Sequence, residues 1–517
     1  MTRRAGRTAA ARARWLAQVP PFGLLALATG CAAGPPFVKP APPETGGYTT
    51  GTLSATPAAP SVPDGAAQRF VAGLNISGQW WGVFHSSALN DLVERALKNN
   101  PDLKAAQAAL TAAREHVLAQ RGAFLPSVAV GAWATRQTTS GALSPTPNSG
   151  TLNFSLFTPD VNVSFVPDVF GLNRRTVEAL QAEAEGQRFA LAASHIALSA
   201  NVVAAAIEQA SLREQIRATR TVIASDSATV EIVRTQVSAG YANRLDLAAQ
   251  ETQLAQALAM LPQLLKQLAQ QNDLLARLAG AFPNDAVDTF DLAELALPEE
   301  LPVSLPSQLV EQRPDVRQAE ENLHAASAEI GVAVANRLPS ITLTGDLGAT
   351  ALTLSQLTTA GNGFWTLGAV LTQPLFQGGA LVHQQRAAEA AYTEAAEQYR
   401  STVLTAFQNV ADALHALDQD ATALSAAAAA AAAARVTREL AERQVAVGYA
   451  GDLELLSAEA GYQSAMINLA QARANRYADT AALFQALGGG WWHRADIPQG
   501  PRQAGVDSAA AARPDST

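Results

Sequence analysis

The side chain with the most distinctive chemistry in this sequence is a single thiol. Cys31 is the only cysteine among 517 residues, so no disulfide can form within the chain. It stands directly after Ala28-Thr29-Gly30, and those small residues follow the apolar stretch Phe22–Leu27. The first 30 residues also carry Arg3, Arg4, Arg7, Arg12 and Arg14 and no acid. A basic start, an apolar middle and a small-residue cleavage site describe a secretory signal peptide over residues 1–30. Its removal leaves 31 basic against 45 acidic residues, a charge near −14. That balance excludes nucleic acid as a partner, because phosphates require clustered Lys and Arg.

A cysteine immediately behind such a cleavage site resembles a bacterial lipobox, in which the thiol is acylated and becomes the first residue. Ala28 stands where Leu is usual, with Leu27 one place further off. Acyl chains anchor stably when two or more are present, each buried methylene contributing about 0.8 kcal/mol. Ala32 follows, where lipoproteins kept in the inner membrane often carry Asp, so the resemblance implies outer-membrane sorting.

No other residues spell out catalysis. The sequence lacks a Gly-rich phosphate loop, a His-Glu-x-x-His pair and a nucleophile elbow. Seven histidines are scattered without metal-ligand spacing, and His383 and His415 read as helix-surface residues. The expectation is therefore no catalytic residue, no metal and no cofactor. Three acids remain of interest, Asp246, Asp452 and Glu454, because each stands just beyond a glycine turn.

Those turns belong to an internal duplication. Asn100-Pro101-Asp102-Leu103 recurs as Arg313-Pro314-Asp315-Val316, and Leu125-Pro126-Ser127 as Leu338-Pro339-Ser340, both at an offset of 213. Gln236-Val237-Ser238-Ala239-Gly240-Tyr241-Ala242 recurs as Gln444-Val445-Ala446-Val447-Gly448-Tyr449-Ala450 at an offset of 208. Three landmarks in one order mark two copies of one structural unit.

Each copy opens with a predicted helix, Ser87–Ala123 or Ser307–Asn336, ended by Leu-Pro-Ser. Short alternating segments follow. Val161–Phe165 and Ile341–Thr344 place apolar residues on one face at period two, while Ser127–Arg136 and Gly363–Phe376 alternate less cleanly. Loops at 137–150 and 353–362 make one hairpin per copy. Then come breaker-poor stretches, Gly171–Ser238 and Gly379–Val447, each about 100 Å long as a helix. Return helices cover Leu245–Ala279 and Leu453–Leu487, with Pro262 read as a kink or register break. Beyond the signal, no run of about 20 strongly apolar residues is expected to span a bilayer. A crossing would need barrel strands, and four strands are half of the roughly eight that the smallest membrane barrels use.

The domain reading is a signal peptide at 1–30, a Pro/Gly/Thr-rich lipid-anchored tether at 31–78 and a first repeat at 79–282. A linker at 283–306, a second repeat at 307–490 and a polar, disordered tail at 491–517 complete it. The fold class is mainly α with a small antiparallel β part.

Four motifs together resemble the TolC-like outer membrane factor family, specifically its NodT-type efflux lipoproteins. They are Cys31–Pro40; Trp80-Trp81-Gly82-Val83-Phe84 leading into Leu89–Leu92 and Ala96–Leu103; the doubled Gly-Tyr-Ala turns; and Ala486-Leu487-Gly488-Gly489-Gly490-Trp491. The resemblance implies a homotrimer pooling four strands per chain into a twelve-stranded outer-membrane barrel, continued by an α-helical barrel. It implies that Ala239, Gly240, Tyr241, Val447, Gly448 and Tyr449 form periplasmic tips for a periplasmic adaptor, with an inner-membrane transporter of the resistance-nodulation-division class behind it. It implies an entrance gate at Glu454, with Asp452 and Asp246 beside it; the family's second acidic position falls on Ser457. Outer-membrane lipid is the remaining partner. The leading functional reading is a passive duct for small molecules such as drugs. Protein secretion or metal-ion export by the same duct, and a lipid-anchored coiled-coil scaffold without hairpins, are the rivals.

Overall fold

The computed structural model describes residues 32–51, 54–60, 62, 65–139 and 153–498, with Asp452 described by its backbone alone. The signal peptide at 1–30, Cys31, the loop residues 140–152 and the tail from 499 onward lie outside the described residues.

In chain order the elements are β1 (Arg69–Ala72), α1 (Ser87–Asn99), α2 (Pro101–Arg121), β2 (Ser127–Thr138), β3 (Asn153–Phe165), α3 (Leu172–Ser238) and α4 (Arg244–Leu278). After them come β4 (Glu300–Val303), α5 (Pro306–Gln312), α6 (Pro314–Ala335), β5 (Ser340–Ala349), β6 (Gly363–Thr372), α7 (Ala380–Ala446) and α8 (Asp452–Ala486). The fold class is as expected, helices with a small antiparallel sheet ordered β2-β3-β5-β6.

Several boundaries differ from the sequence reading. Each opening helix is two helices, broken at Asn100 and at Arg313, whose ψ angles of 126° and 120° are extended. The cause is the proline that follows each, which disfavours helical backbone in the residue before it. Asn100 then caps α2, its Oδ1 accepting from the Asp102 and Leu103 N–H groups. β3 begins at Asn153, well before Val161, and β6 ends at Thr372 because Pro374 cannot donate to a ladder. α4 continues through Pro262. One 18-residue window of α3 reaches a mean hydropathy of 1.7, enough by composition to cross a membrane, but 67% of that window is buried within the protein.

The chain divides into two compact units, each taken by itself. One comprises residues up to Lys39, Ala113–Ala184 and Asn322–Ala396; the other comprises Pro40–Ala112, Glu185–Glu321 and Glu397 onward. The first holds the four-stranded sheet. The second holds the main core, where Trp80, Phe84, Phe290, Tyr477 and Phe484 are buried together. Trp80 stacks on Phe484 at 5.5 Å and donates to Ser199 Oγ, and Tyr477 donates to the Leu295 carbonyl at 2.7 Å. Trp491 donates to the Gln312 carbonyl at 2.7 Å. Two of the motifs that carry the resemblance are thus packing devices of this unit.

Residues 40–78 are not a free tether. β1 pairs in parallel with β4, Phe70 beside Leu301, and the Tyr48 hydroxyl donates to the Ser304 carbonyl. The fully buried Arg476 donates to Thr56 Oγ1, the Ala66 carbonyl and Gln68 Oε1. A buried guanidinium left without these acceptors would be strongly unfavourable, which ties the segment to α8.

Close by, the carboxyl of Asp420 on α7 faces that of Asp479 on α8, and Asp420 Oδ2 is buried without a hydrogen-bond partner. Burial, then the neighbouring Asp479 carboxyl, raise the Asp420 pKa from 3.8 to about 7, with Arg476 opposing. Between about pH 4 and pH 7 the folded chain therefore keeps a proton that the unfolded chain releases, so this group's contribution to stability falls as pH rises through that window. Asp420→Asn keeps the shape of the side chain without the charge. It should raise the melting temperature at pH 8 and leave it unchanged at pH 4, as followed by circular dichroism.

Candidate functional site

The sheet has two chemically distinct faces, set by period-two alternation in a fixed register. Val130 stands opposite Val161, Val161 opposite Leu347, and Leu347 opposite Trp365; Val128, Val163, Gly345 and Leu367 form the next row. On this face Val130, Leu347, Trp365 and Leu367 are exposed in the single chain. The other face is mixed: it presents Asp160, Asn162 and Ser164 on β3, Thr342, Thr344 and Asp346 on β5 and Thr366 on β6, together with Trp133 on β2 and Phe364 and Val370 on β6. There Asn162 Nδ2 donates to Asp346 Oδ1 at 2.6 Å. An apolar face backed by a hydrogen-bonding face is the pattern a wall between lipid and water requires.

The two tips have the same backbone. Tyr241 N donates to the Gln236 carbonyl at 2.8 Å, and Tyr449 N to the Gln444 carbonyl at 2.9 Å. Gly240 and Gly448 take φ of +78° and +77°. This is a Schellman ending, in which a left-handed residue returns the next N–H to the last helical turn. Tyr241 and Tyr449 are 88% and 89% exposed and project from the tips.

The acids beyond the tips differ from one another. Asp246 closes a capping box with Asn243, receiving the Asn243 N–H while its own N–H donates to Asn243 Oδ1 at 2.9 Å. At the second tip Gly451 opens α8 without a side-chain cap. Glu454 is exposed there in the first turn, and its side chain has no hydrogen bond or ion pair among the described residues. Ser457 is exposed one turn on, and the Asp452 side chain lies outside the described residues.

The start of the described chain forms a third feature that sequence reasoning missed. Ala33 N donates to the Phe170 carbonyl, while Arg175 donates from Nε to the Ala33 carbonyl at 2.9 Å and from Nη2 to the Gly34 carbonyl at 3.1 Å. Gly34, at φ +85°, lies so close to Gly331 of α6 that a Cβ on it would stand 2.5 Å from the Gly331 Cα. Phe37 stacks on His324 at 4.3 Å, and His324 meets Glu178 at 3.2 Å. The residues that follow Cys31 are thereby held to the same unit as the sheet. The glycine at 331, placed mid-helix where propensity disfavours it, was the available signal.

Elsewhere His383 and His415 are exposed on α7. His195, 4% exposed, has neither ring nitrogen hydrogen-bonded, and burial lowers its pKa to about 4, so it is neutral at pH 7. Among the described residues no group of three or more His, Cys, Asp and Glu side chains could hold a metal ion.

The sequence model for outer membrane efflux proteins matches residues 92–281 and 305–489. The chain belongs to that family. It is an outer-membrane efflux channel and resides in the outer membrane. It is 29% identical over 458 residues, 87% of this chain and 93% of the relative, to the antibiotic efflux pump outer membrane protein ArpC of Pseudomonas putida. The structure of the outer-membrane channel OprN superposes with a TM-score of 0.77 at 26% identity, covering 89% of this chain and 100% of that one. The open-state MtrE outer membrane channel of Neisseria gonorrhoeae gives 0.77 at 26% identity, covering 89% and 99%. The two-faced sheet is the part of the chain whose pattern suits a place in that membrane. The coiled-coil scaffold reading, which required the absence of strand hairpins, fails on that sheet.

Proposed function

We propose that three copies of this chain close one twelve-stranded barrel and form a passive duct for small molecules such as drugs, within a tripartite efflux pump. One observation carries the reading. A four-stranded sheet with a continuous apolar face ends in two unpaired edges, β2 and β6, among the described residues. In hydrocarbon an open edge leaves backbone groups without partners, so the strands must join those of other copies. Nothing in the sequence supplies energy, and the transporter behind the adaptor would do so.

The exposed Tyr241 and Tyr449, with Ala239, Gly240, Val447 and Gly448, serve as adaptor contacts in this proposal, two similar tips per chain and six per trimer. Cys31 carries the acyl anchor. Glu454 narrows and closes the entrance, since it stands free in the first turn of α8, whereas Asp246 is engaged as a cap. Purified protein in a planar bilayer should conduct, and Glu454→Ala should raise single-channel conductance. Absence of current from the unsubstituted protein would remove the duct; unchanged conductance in the variant would remove only the gate.

A further inference from the structure

The duplication brings the chain twice through the same corner, from the end of a strand into a long helix, and the two corners are finished differently. In the first, Pro167–Gly171 leads from β3 into α3. Asp168 caps the helix, its Oδ1 and Oδ2 accepting from the Asn173 and Arg174 N–H groups at 2.9 Å each. Ala33 covers the Phe170 carbonyl, and Ala32 packs against Gly171. In the second, Pro374–Gly379 leads from β6 into α7, and the place after the proline is taken by Leu375 in place of a capping acid. Leu375 is 92% exposed and Phe376 88% exposed.

Two adjacent large apolar side chains in open water contribute nothing to this unit, and a capping carboxylate there would be worth about 1 kcal/mol. Their exposure calls for an occupant outside the chain. The corner lies directly beyond the end of β6, three residues past Thr372, and Leu371 on the apolar face of that strand is itself exposed. It is therefore continuous with the face that meets lipid in the proposed duct, on which reading the inference rests.

We infer that Leu375 and Phe376 insert into the bilayer at the boundary between acyl chains and headgroups, seating the helix end of the sheet in the membrane. An aromatic ring beside an aliphatic side chain suits that boundary, where one side is apolar and the other wet. At the first corner Val166 and Val169 are exposed to 49% and 39%, well short of the second pair, and Phe170 is half-buried with its carbonyl covered by the chain start, next to the proposed acyl anchor. Each subunit is then seated at both corners, covalently at one and by Leu375 and Phe376 at the other.

The test uses the full chain with single cysteines at Leu375, Phe376, Leu367 and Tyr449, each nitroxide-labelled and reconstituted in vesicles of phosphatidylethanolamine and phosphatidylglycerol. Unsubstituted protein labelled in parallel supplies the Cys31 background. Accessibility is read by power saturation with oxygen and with a neutral nickel chelate. The oxygen-to-nickel ratio at 375 and 376 should exceed that at Tyr449 about threefold or more and fall below that at Leu367, which faces the bilayer interior. A ratio at 376 equal to that at Tyr449 places the corner in water, and loss of access to both probes places it against another copy. Either result overturns the inference while the sheet reading stands. A water-like ratio at Leu367 overturns both.

Discussion

A chain carrying Leu347→Arg is expected to be exported but absent from the outer membrane as a folded channel. Leu347 lies in the middle of the apolar face, paired with Val161 on one side and Trp365 on the other. It is exposed in the single chain, so arginine meets no steric obstacle in the protein itself. The cost arises from the surroundings. A guanidinium near the middle of a barrel's lipid face costs about 2–4 kcal/mol, and it would be incurred once in every copy of the assembly. Thr366→Arg, one residue from Trp365 on the opposite face, separates this from general damage. That variant should insert normally and shift conductance and ion preference, because its charge enters the water-filled side. Membrane fractionation followed by urea extraction reads both. Equal recovery of Leu347→Arg and unsubstituted protein would mean that this face does not meet lipid.

What was legible in the sequence follows from where the physical signal is local. Long breaker-poor stretches and duplicated glycine turns are carried by neighbouring residues, and α3, α4, α7 and α8 end within a residue of their expected positions. The strands were legible in place more than in extent: Ser127–Arg136 and Gly363–Phe376 begin where β2 and β6 begin, whereas the cleanly alternating Val161–Phe165 is only the second part of β3. Thr158-Pro159-Asp160 interrupts the alternation, which hid the first half of β3, and Gly345 and Gly348 supply no side chain to count in β5. The strap at 40–78 looked like a tether because its composition is that of a linker. Its order comes from partners hundreds of residues away, Arg476, Ser304 and β4, that no local pattern reveals. The same holds for the Asp420–Asp479 pair and for the clamp of Arg175 and Gly331 on the chain start. The tips were the reverse case. Gly-Tyr-Ala twice in register announced two equal turns, and the hydrogen bonds of the two turns agree to 0.2 Å or better.

Substituting both tip glycines with valine is expected to abolish pump-dependent resistance in cells while leaving the conductance of the purified channel unchanged. At φ near +78° a β-branched residue is strained by about 1–3 kcal/mol per site, so the turn reshapes to relieve it. Nothing lies within 4 Å of where a Cβ would be added at Gly240 or Gly448, so no clash spreads the change into the helices. The effect is thereby confined to the geometry with which Tyr241 and Tyr449 are presented. Asparagine tolerates the left-handed region far better than valine, so Gly240→Asn with Gly448→Asn should retain resistance. That contrast carries the argument. If both pairs lose resistance equally, the absence of a side chain at the turn matters, and an adaptor approaches the glycine itself. If neither pair loses it, the tips are ordinary helix reversals and docking lies elsewhere. Loss with valine alone ties the left-handed turn, and through it the two projecting tyrosines, to assembly of the pump.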